Sequence, residues 1–534
     1  MSEQDATPDD RPSDDRPSDD GAPGVRAEGA ETRAGGTDVT AGGRRTRDVR
    51  ASAARLLREH PRTALVTAGV LAFALLGGGA VAAGAATAPD VPVASSSLSG
   101  ADGDGSAEPA DVVTVTPDPT EAPDPQRVAP AVVPPATKLR TCSVAAAASD
   151  PRLAQFEGSV VNATTGEVLF DRNGSTPART GSVLKTLTSA VALAVLGGDH
   201  RLTTTVTGDP GSGTIALVGG GDATLSATGR SVYSGAPTLS DLAGQVAASL
   251  GGQPVSQITL DATWWSQADK WDPSWKRTEQ TIGYHSEVTA LMVDGDRADP
   301  SAVTSPRSTD PVGRAGEAFR SALVAAGVSG AASASISQGT ASSATVLGSV
   351  QSQPVSTLIG QMLPNSDNTL AEMLARASSR ESGADGSAAS LTALYRSALS
   401  GTYGLDASVV TIVDGSGLSE DNAVPSTFVA RLMIQVRDRA HGLGAVYDAL
   451  PISGQTGTLA SRFTGSNAAA RGAVHAKTGW IDTAYTLAGS IDSADGTPLT
   501  FAFYAIGPVQ DNARSALDTL TASVWRCGNS LANS

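Results

Sequence analysis

Residues 63–88, TALVTAGVLAFALLGGGAVAAGAATA, carry no charged side chain, and they divide the 534-residue chain into parts that meet different solvents. A run of that length can cross a bilayer as one helix. A basic stretch precedes it, Arg44, Arg45, Arg47, Arg50, Arg55, Arg58 and Arg62, and such a flank keeps the N-terminal side in the cytoplasm. A buried core helix would be equally apolar, but the flanks give it no core to join. The acidic repeat DDRPSDDRPSDDG at 9–21 has no apolar residue to bury, and residues 1–43 read as disordered. We read 63–88 as an uncleaved transmembrane signal anchor and 1–62 as a cytoplasmic tail with a basic end. The rival is a cleaved secretory signal, with Ala64–Leu76 as the apolar region and Ala86–Ala88 as the cleavage motif. Pro89 directly after that motif, and the long tail before it, favour the anchor. On either reading, everything after residue 88 is exported.

Residues 89–137 are a proline-rich linker without apolar periodicity, semi-extended and able to hold a domain off the membrane. Export then gives meaning to the two cysteines, Cys142 and Cys527. In an oxidising compartment, an even pair at the two ends of a domain reads as a disulfide. It brackets a domain at 138–530, and closing so long a loop stabilises by roughly 5 kcal/mol as an upper figure. The formal net charge of −16 argues against nucleic acid as a partner.

Inside the bracket the pattern is mixed. GSVVN (158–162) and EVLFD (167–171) read as a hairpin around a TTG turn. Near the other end, AVHAKTGW (473–480), AYTLAGSI (484–491) and LTFAFYAI (499–506) read as strands. Ala513, Leu517, Leu520 and Val524 then recur at helical spacing. Strands at both ends with helices between predict an α+β fold, one antiparallel sheet flanked by helices.

The chain has only five lysines, and one stands in TGSVLKTLTSA (180–190), three places after Ser182. Leu184, Leu187, Val191 and Val195 predict a helix from Ser182 that stops at Gly197–Gly198. Ser182 and Lys185 therefore share a face near its first turn. A serine hydroxyl needs a base to become a nucleophile, and a buried lysine of lowered pKa can serve. Taken alone, the pair reads better as a capping serine and a surface lysine. Two further triplets lift it above that reading. Ser366, Asp367 and Asn368 open a helix at a loop-to-helix corner, and Lys477, Thr478 and Gly479 lie on a strand.

With these triplets in this order, the chain resembles the penicillin-binding proteins. LFDRNGSTPARTGSVLK, IALVGGGDATL (215–225), VDGSGLSEDN (413–422) and GTLASRF (457–463) are similar to the class C D-alanyl-D-alanine carboxypeptidase/endopeptidase family over about 150–527. The resemblance implies the fold shared by serine β-lactamases and DD-peptidases. It implies that Ser182 attacks the carbonyl between two D-alanines of a peptidoglycan stem peptide and that Lys185 takes its proton. Ser366 would relay a proton to the leaving amine, and Asn368 would bond the substrate's amide. Lys477 and Thr478 would bind the terminal carboxylate, and the N–H groups of Ser182 and Trp480, flanking Gly479, would form the oxyanion hole. β-Lactams would acylate the same serine. No metal or cofactor is implied, and the five histidines form no H-E-x-x-H pair.

Two features depart from that pattern or extend it. Trp480 stands where many relatives carry a small hydroxyl residue. Residues from roughly 200 to 340 form an insertion between the first two motifs, which we expect to be β-rich. Within it TWWSQADKWDPSW (263–275) reads as core rather than as a glycan-facing surface, and GYHSEVTALMVDGDR (283–297) as a strand returning to the main domain. Besides an active carboxypeptidase, a silent peptidoglycan-binding protein and a serine β-lactamase remain open, the latter without an E-x-x-L-N pattern. The anchor reading predicts that the protein from its own host keeps its acidic N-terminus and partitions with membranes. N-terminal sequencing checks this, and a mature start between Ala86 and Pro89 contradicts it.

Overall fold

A computed structural model describes residues 139–533, so the expected tail, anchor and linker lie outside the described residues. From its start the chain forms the expected hairpin, β1 (Gln155–Asn162) and β2 (Val168–Arg172), and then the central helix α1 (Leu184–Val195). Residues Leu184 to Leu193 of α1 are buried all round, so this helix is packed within the domain rather than laid on its surface.

The insertion follows as β3 (Thr203–Gly208), β4 (Thr214–Val218), α2 (Leu239–Leu250), β5 (Gln257–Asp261), α3 (Pro311–Ala325), β6 (Ser335–Gln338) and β7 (Val346–Gln351). Its strands make one sheet in the order β6-β5-β4-β3-β7. The pairs β4–β5 and β5–β6 are parallel, and parallel neighbours need a long crossover connection. Helices α2 and α3 are those crossovers, so the module is mixed α/β and not β-rich as expected. Its own core, with Leu242, Val246, Ile258, Leu260 and Phe319, sits between sheet and helices.

Four helices return the chain to the main domain: α4 (Val355–Asn365), α5 (Asn368–Glu381), α6 (Leu391–Tyr403) and α7 (Ser426–Arg437). An antiparallel meander, β8 (Val474–Ile481), β9 (Ala484–Asp492) and β10 (Pro498–Ile506), precedes the last helix, α8 (Ala513–Cys527). The hairpin β1–β2 lies beside β10. Both faces of the meander are covered. Ala488, Ala502 and Tyr504 join the core of α1 and the four helices, whereas Leu487, Phe501 and Phe503 join the core under α8. The fold is therefore α+β, helices on both sides of an antiparallel sheet.

Residues 283–297 are not the expected strand. They run as an irregular chain ending in a turn at Asp294–Asp296, where Asp294, Gly295 and Asp296 all have positive φ. His285, Ser286, Glu287, Thr289, Asp294, Asp296 and Arg297 are all buried. Consecutive buried polar groups need partners on every side, which a two-faced strand does not provide. Of the tryptophans, Trp265 and Trp275 are core, packed with Val288 and with Met373 of α5.

Cys142 and Cys527 form a disulfide with Cα atoms 5.4 Å apart. Beside it Cys142–Ser143 pairs in parallel with Leu531–Ala532, so the bridge ties the two ends of the domain across 385 residues of sequence. Cys142→Ser is expected to lower stability by roughly 2–5 kcal/mol while leaving Ser182 reactive toward a fluorescent penicillin. A thermal scan reads this, and an unchanged midpoint contradicts it.

Candidate active site

Three segments far apart in sequence meet at one amine. Ser182 lies in a tight turn, Gly181–Val183, that leads directly into α1 rather than within the helix itself. Lys185, one turn on, is wholly buried, and its Nζ lies 2.8 Å from Ser182 Oγ, 2.6 Å from Asn368 Oδ1 and 2.7 Å from the Ser416 carbonyl. The last two can only accept, so they fix two N–H directions. The third position faces Ser182. It is an N–H when the amine is charged and a lone pair, ready for the serine's proton, when it is neutral.

Burial drives the Lys185 pKa down to about 8, although Asp414, Glu372 and Asp367 nearby hold it higher than burial alone would. Two of those carboxylates, Glu372 and Asp414, are bonded into the loop 413–422. Glu372 of α5 accepts from the N–H groups of Gly415 and Ser416 at 2.8–3.0 Å. Burial, with Asp414 adding to it, raises its pKa to about 7. Asp414 accepts from Gly417 and Ser419 N–H and from the Asn422 side chain. Together they fold the VDGSG turn so that the Ser416 carbonyl points at Lys185.

The second triplet occupies the corner between α4 and α5. Ser366 is a non-glycine residue at φ 57°, and Asp367 caps α5 by accepting from Leu370 N–H at 3.0 Å. The corner turns Asn368 toward Lys185 and Ser366 toward Lys477, whose Nζ donates to Ser366 Oγ at 2.9 Å. The resemblance assigns Asn368 to substrate alone, and here its carbonyl oxygen also holds the lysine. Lys477, on β8, is buried as well. Burial and then the neighbouring Lys185 charge lower its pKa well below the ordinary lysine value. A carboxylate arriving beside it restores the missing counter-charge.

Thr478 bonds the Thr458 hydroxyl at 2.8 Å on the cleft wall. Gly479 packs so closely that a Cβ there would meet the Thr180 carbonyl and, at 2.9 Å, the Ser182 nitrogen. Gly181, at φ +49°, mirrors it, since its Cβ would lie 3.0 Å from the Trp480 nitrogen. Both glycines thus allow the turn of Ser182 and the edge strand to touch, which places the backbone nitrogens of Ser182 and Trp480 at one spot. Thr486 on β9 secures the contact by donating to the Thr180 carbonyl. Trp480 itself is half exposed on the rim, its ring 6.4 Å from that of Tyr485.

A cleft of about 620 Å³ opens over these groups, with Ser182, Ser366, Asn368, Thr478 and Trp480 in its wall. Sequence reasoning misses Glu372, Asp414, Ser416 and Thr458. VDGSG and GTL stand out only as matching stretches, without a role for each residue. Among the described residues no cluster of His, Cys, Asp and Glu could hold a metal.

A family model described as D-Ala-D-Ala carboxypeptidase 3 (S13) matches residues 140–309 and 297–524. The chain is 35% identical over 434 residues to a carboxypeptidase DacB of Mycolicibacterium smegmatis, covering 76% of this chain and 90% of that one. It is 28% identical over 445 residues to a D-alanyl-D-alanine carboxypeptidase of Actinomadura sp. (strain R39), covering 67% and 79%. In fold it is similar to the crystal structure of penicillin binding protein 4 (dacB) from Haemophilus influenzae, at a TM-score of 0.58 and 18% identity over 70% of this chain and 95% of that chain.

Only the neutral amine of Lys185 can take a proton. The rate at which an electrophile acylates Ser182 should therefore climb as pH rises through about 8 and level off above it. A stopped-flow acylation profile checks this, and a rate that is flat between pH 6 and 9, or falling, contradicts it.

Proposed function

The chain belongs to the D-Ala-D-Ala carboxypeptidase 3 (S13) family, and from that membership we infer that it is a serine D-Ala-D-Ala carboxypeptidase acting through Ser182. The observation that carries the residue assignment is the wholly buried Lys185 amine 2.8 Å from Ser182 Oγ, with its other two bonds fixed by pure acceptors. Lys185 takes the serine proton as Oγ attacks the carbonyl between the two D-alanines of a stem peptide. The N–H groups of Ser182 and Trp480 receive the developing oxyanion. The scissile C–N bond then breaks, and the proton that Lys185 took passes to the leaving amine by way of Ser366, which is bonded to Lys477, leaving Lys185 neutral again. Terminal D-alanine departs, and water adds to the ester carbonyl while neutral Lys185 takes its proton and returns it to Ser182 Oγ as the ester bond breaks.

Lys477 and Thr478 bind the substrate's terminal carboxylate, which selects for a free chain end. A cross-linked peptide cut by the same chemistry would make the enzyme an endopeptidase as well. β-Lactams present a strained amide carbonyl to the same hydroxyl and acylate Ser182 through the same base, Lys185. The proposal places the domain outside the cytoplasm, held to the membrane through residues 63–88.

Ser182→Ala is expected to abolish D-alanine release from purified muropeptides. Continued release would contradict the assignment, and so would a wild-type protein that releases none. Lys477→Ala should cost a few kcal/mol of transition-state binding on a free-carboxylate substrate and less on one whose C-terminus is amidated. Equal losses on both substrates would argue against carboxylate recognition.

A further inference from the structure

The S-D-N corner is held from the inserted module. Asp367 is buried and caps α5 with Oδ1, while its Oδ2 accepts from Tyr233 Oη at 2.8 Å and from Arg297 Nη2 at 2.7 Å. Both partners lie between strands of the insertion, Tyr233 after β4 and Arg297 after β5. Arg297 is itself fully enclosed. Its Nη1 donates to Tyr233 Oη at 2.7 Å and to the Asp294 carbonyl at 3.2 Å, its Nε donates to the Val303 carbonyl, and its guanidinium lies over the Tyr233 ring. The turn at Asp294–Asp296, where φ is positive at each residue, delivers it there. Arg307, bonded to the Gly295 carbonyl, reaches Thr369 at 3.5 Å beside the same corner.

The corner needs such a hold. Ser366 occupies the left-handed region without being glycine, a backbone state that persists only where its surroundings fix it. A free corner would relax into continuous helix or loop, turning Ser366 away from Lys477 and Asn368 away from Lys185. A second tie from the same module reaches the other side of the site. Trp275 Nε1 donates to Asp414 Oδ2 at 2.9 Å, and Ser274 bonds Ser419 at 2.8 Å. These are the residues that fold the loop whose Ser416 carbonyl holds Lys185.

We propose that Tyr233 and Arg297 are positioning residues for catalysis: by fixing Asp367 they set the aim of Ser366 and Asn368, so the inserted module is part of the catalytic apparatus and not an appendage to it. The proposal rests on the assignment of Ser182 and Lys185 above and goes beyond it by giving the insertion a chemical task.

The test is made on the full-length protein with Arg297→Met, Arg297→Lys and Tyr233→Phe. Acylation by a fluorescent penicillin and D-alanine release from a stem peptide are measured beside the thermal midpoint. Arg297→Met should slow acylation on the order of a hundredfold, the scale of a misplacement of about 1 Å. The loss should fall on kcat rather than on KM, because the terminal carboxylate is still bound by Lys477 and Thr478. Arg297→Lys should recover part of the rate, and Tyr233→Phe should lose several-fold. A lowered midpoint with wild-type acylation rates would make these residues merely structural and overturn the proposal. If Arg297→Met does not fold, wild-type rates in the Lys and Phe variants overturn it equally. Failure of the underlying assignment shows separately, as a wild-type protein that penicillin does not label.

Discussion

The active domain is organised around one buried amine. Enclosing the Lys185 ammonium away from water costs several kcal/mol unless its donors are met. They are met by three segments that no local structure brings together: the turn before α1, the start of α5, and the loop at 413–422. Removing any one of these acceptors leaves an unsatisfied buried group, so each segment is held by the cost of losing the others. That cost also tunes the amine. Desolvation lowers its pKa, while Glu372 and Asp414 keep it from falling further, leaving it close to the pH at which a base is useful.

The scaffold serves this arrangement at two levels. The edge strand β8 carries Lys477 and Gly479 against the turn of Ser182, and the close approach of Gly181 and Gly479 leaves no room for a side chain between them. Sheet and helices are then closed by the Cys142–Cys527 bridge, which joins the segment before β1 to the last residue of α8. Stability and chemistry are thus supplied by different parts of one domain. The inserted module crosses that division, because Tyr233, Arg297 and Trp275 bond the loops of the site while α2 and α3 build a separate core.

Much of this domain is legible in its amino-acid sequence, and the point where legibility stops has a physical cause. Ser182 and Lys185 can be read because helical spacing puts them on one face. The strands around Lys477 and the cysteine bracket can be read because apolar alternation and export are local signals. The triplet order carries the family. What escapes are groups acting through long-range polar bonds: Glu372, Asp414, Arg297 and Tyr233 have no periodicity that marks them. Residues 283–297 resemble a strand because Val288, Leu291 and Val293 are apolar, yet the polar residues among them are buried too, and a sequence does not show where their partners lie. The insertion's helices are visible in principle, through Leu239, Leu242, Val246 and Leu250, but strand-like stretches on either side outweigh them.

The mechanism requires that one particular serine be acylated, and trypsin isolates it. Cleavage after Arg179 and Lys185 releases the peptide Thr180–Lys185, TGSVLK, in which Ser182 is the only serine. After incubation with benzylpenicillin, mass spectrometry of the digest should show a single penicilloyl adduct on that peptide. The adduct should depend on native folding and be absent from protein denatured beforehand. An adduct on any other serine, or an unmodified TGSVLK from folded protein at saturating drug, would contradict the nucleophile and the mechanism built on it.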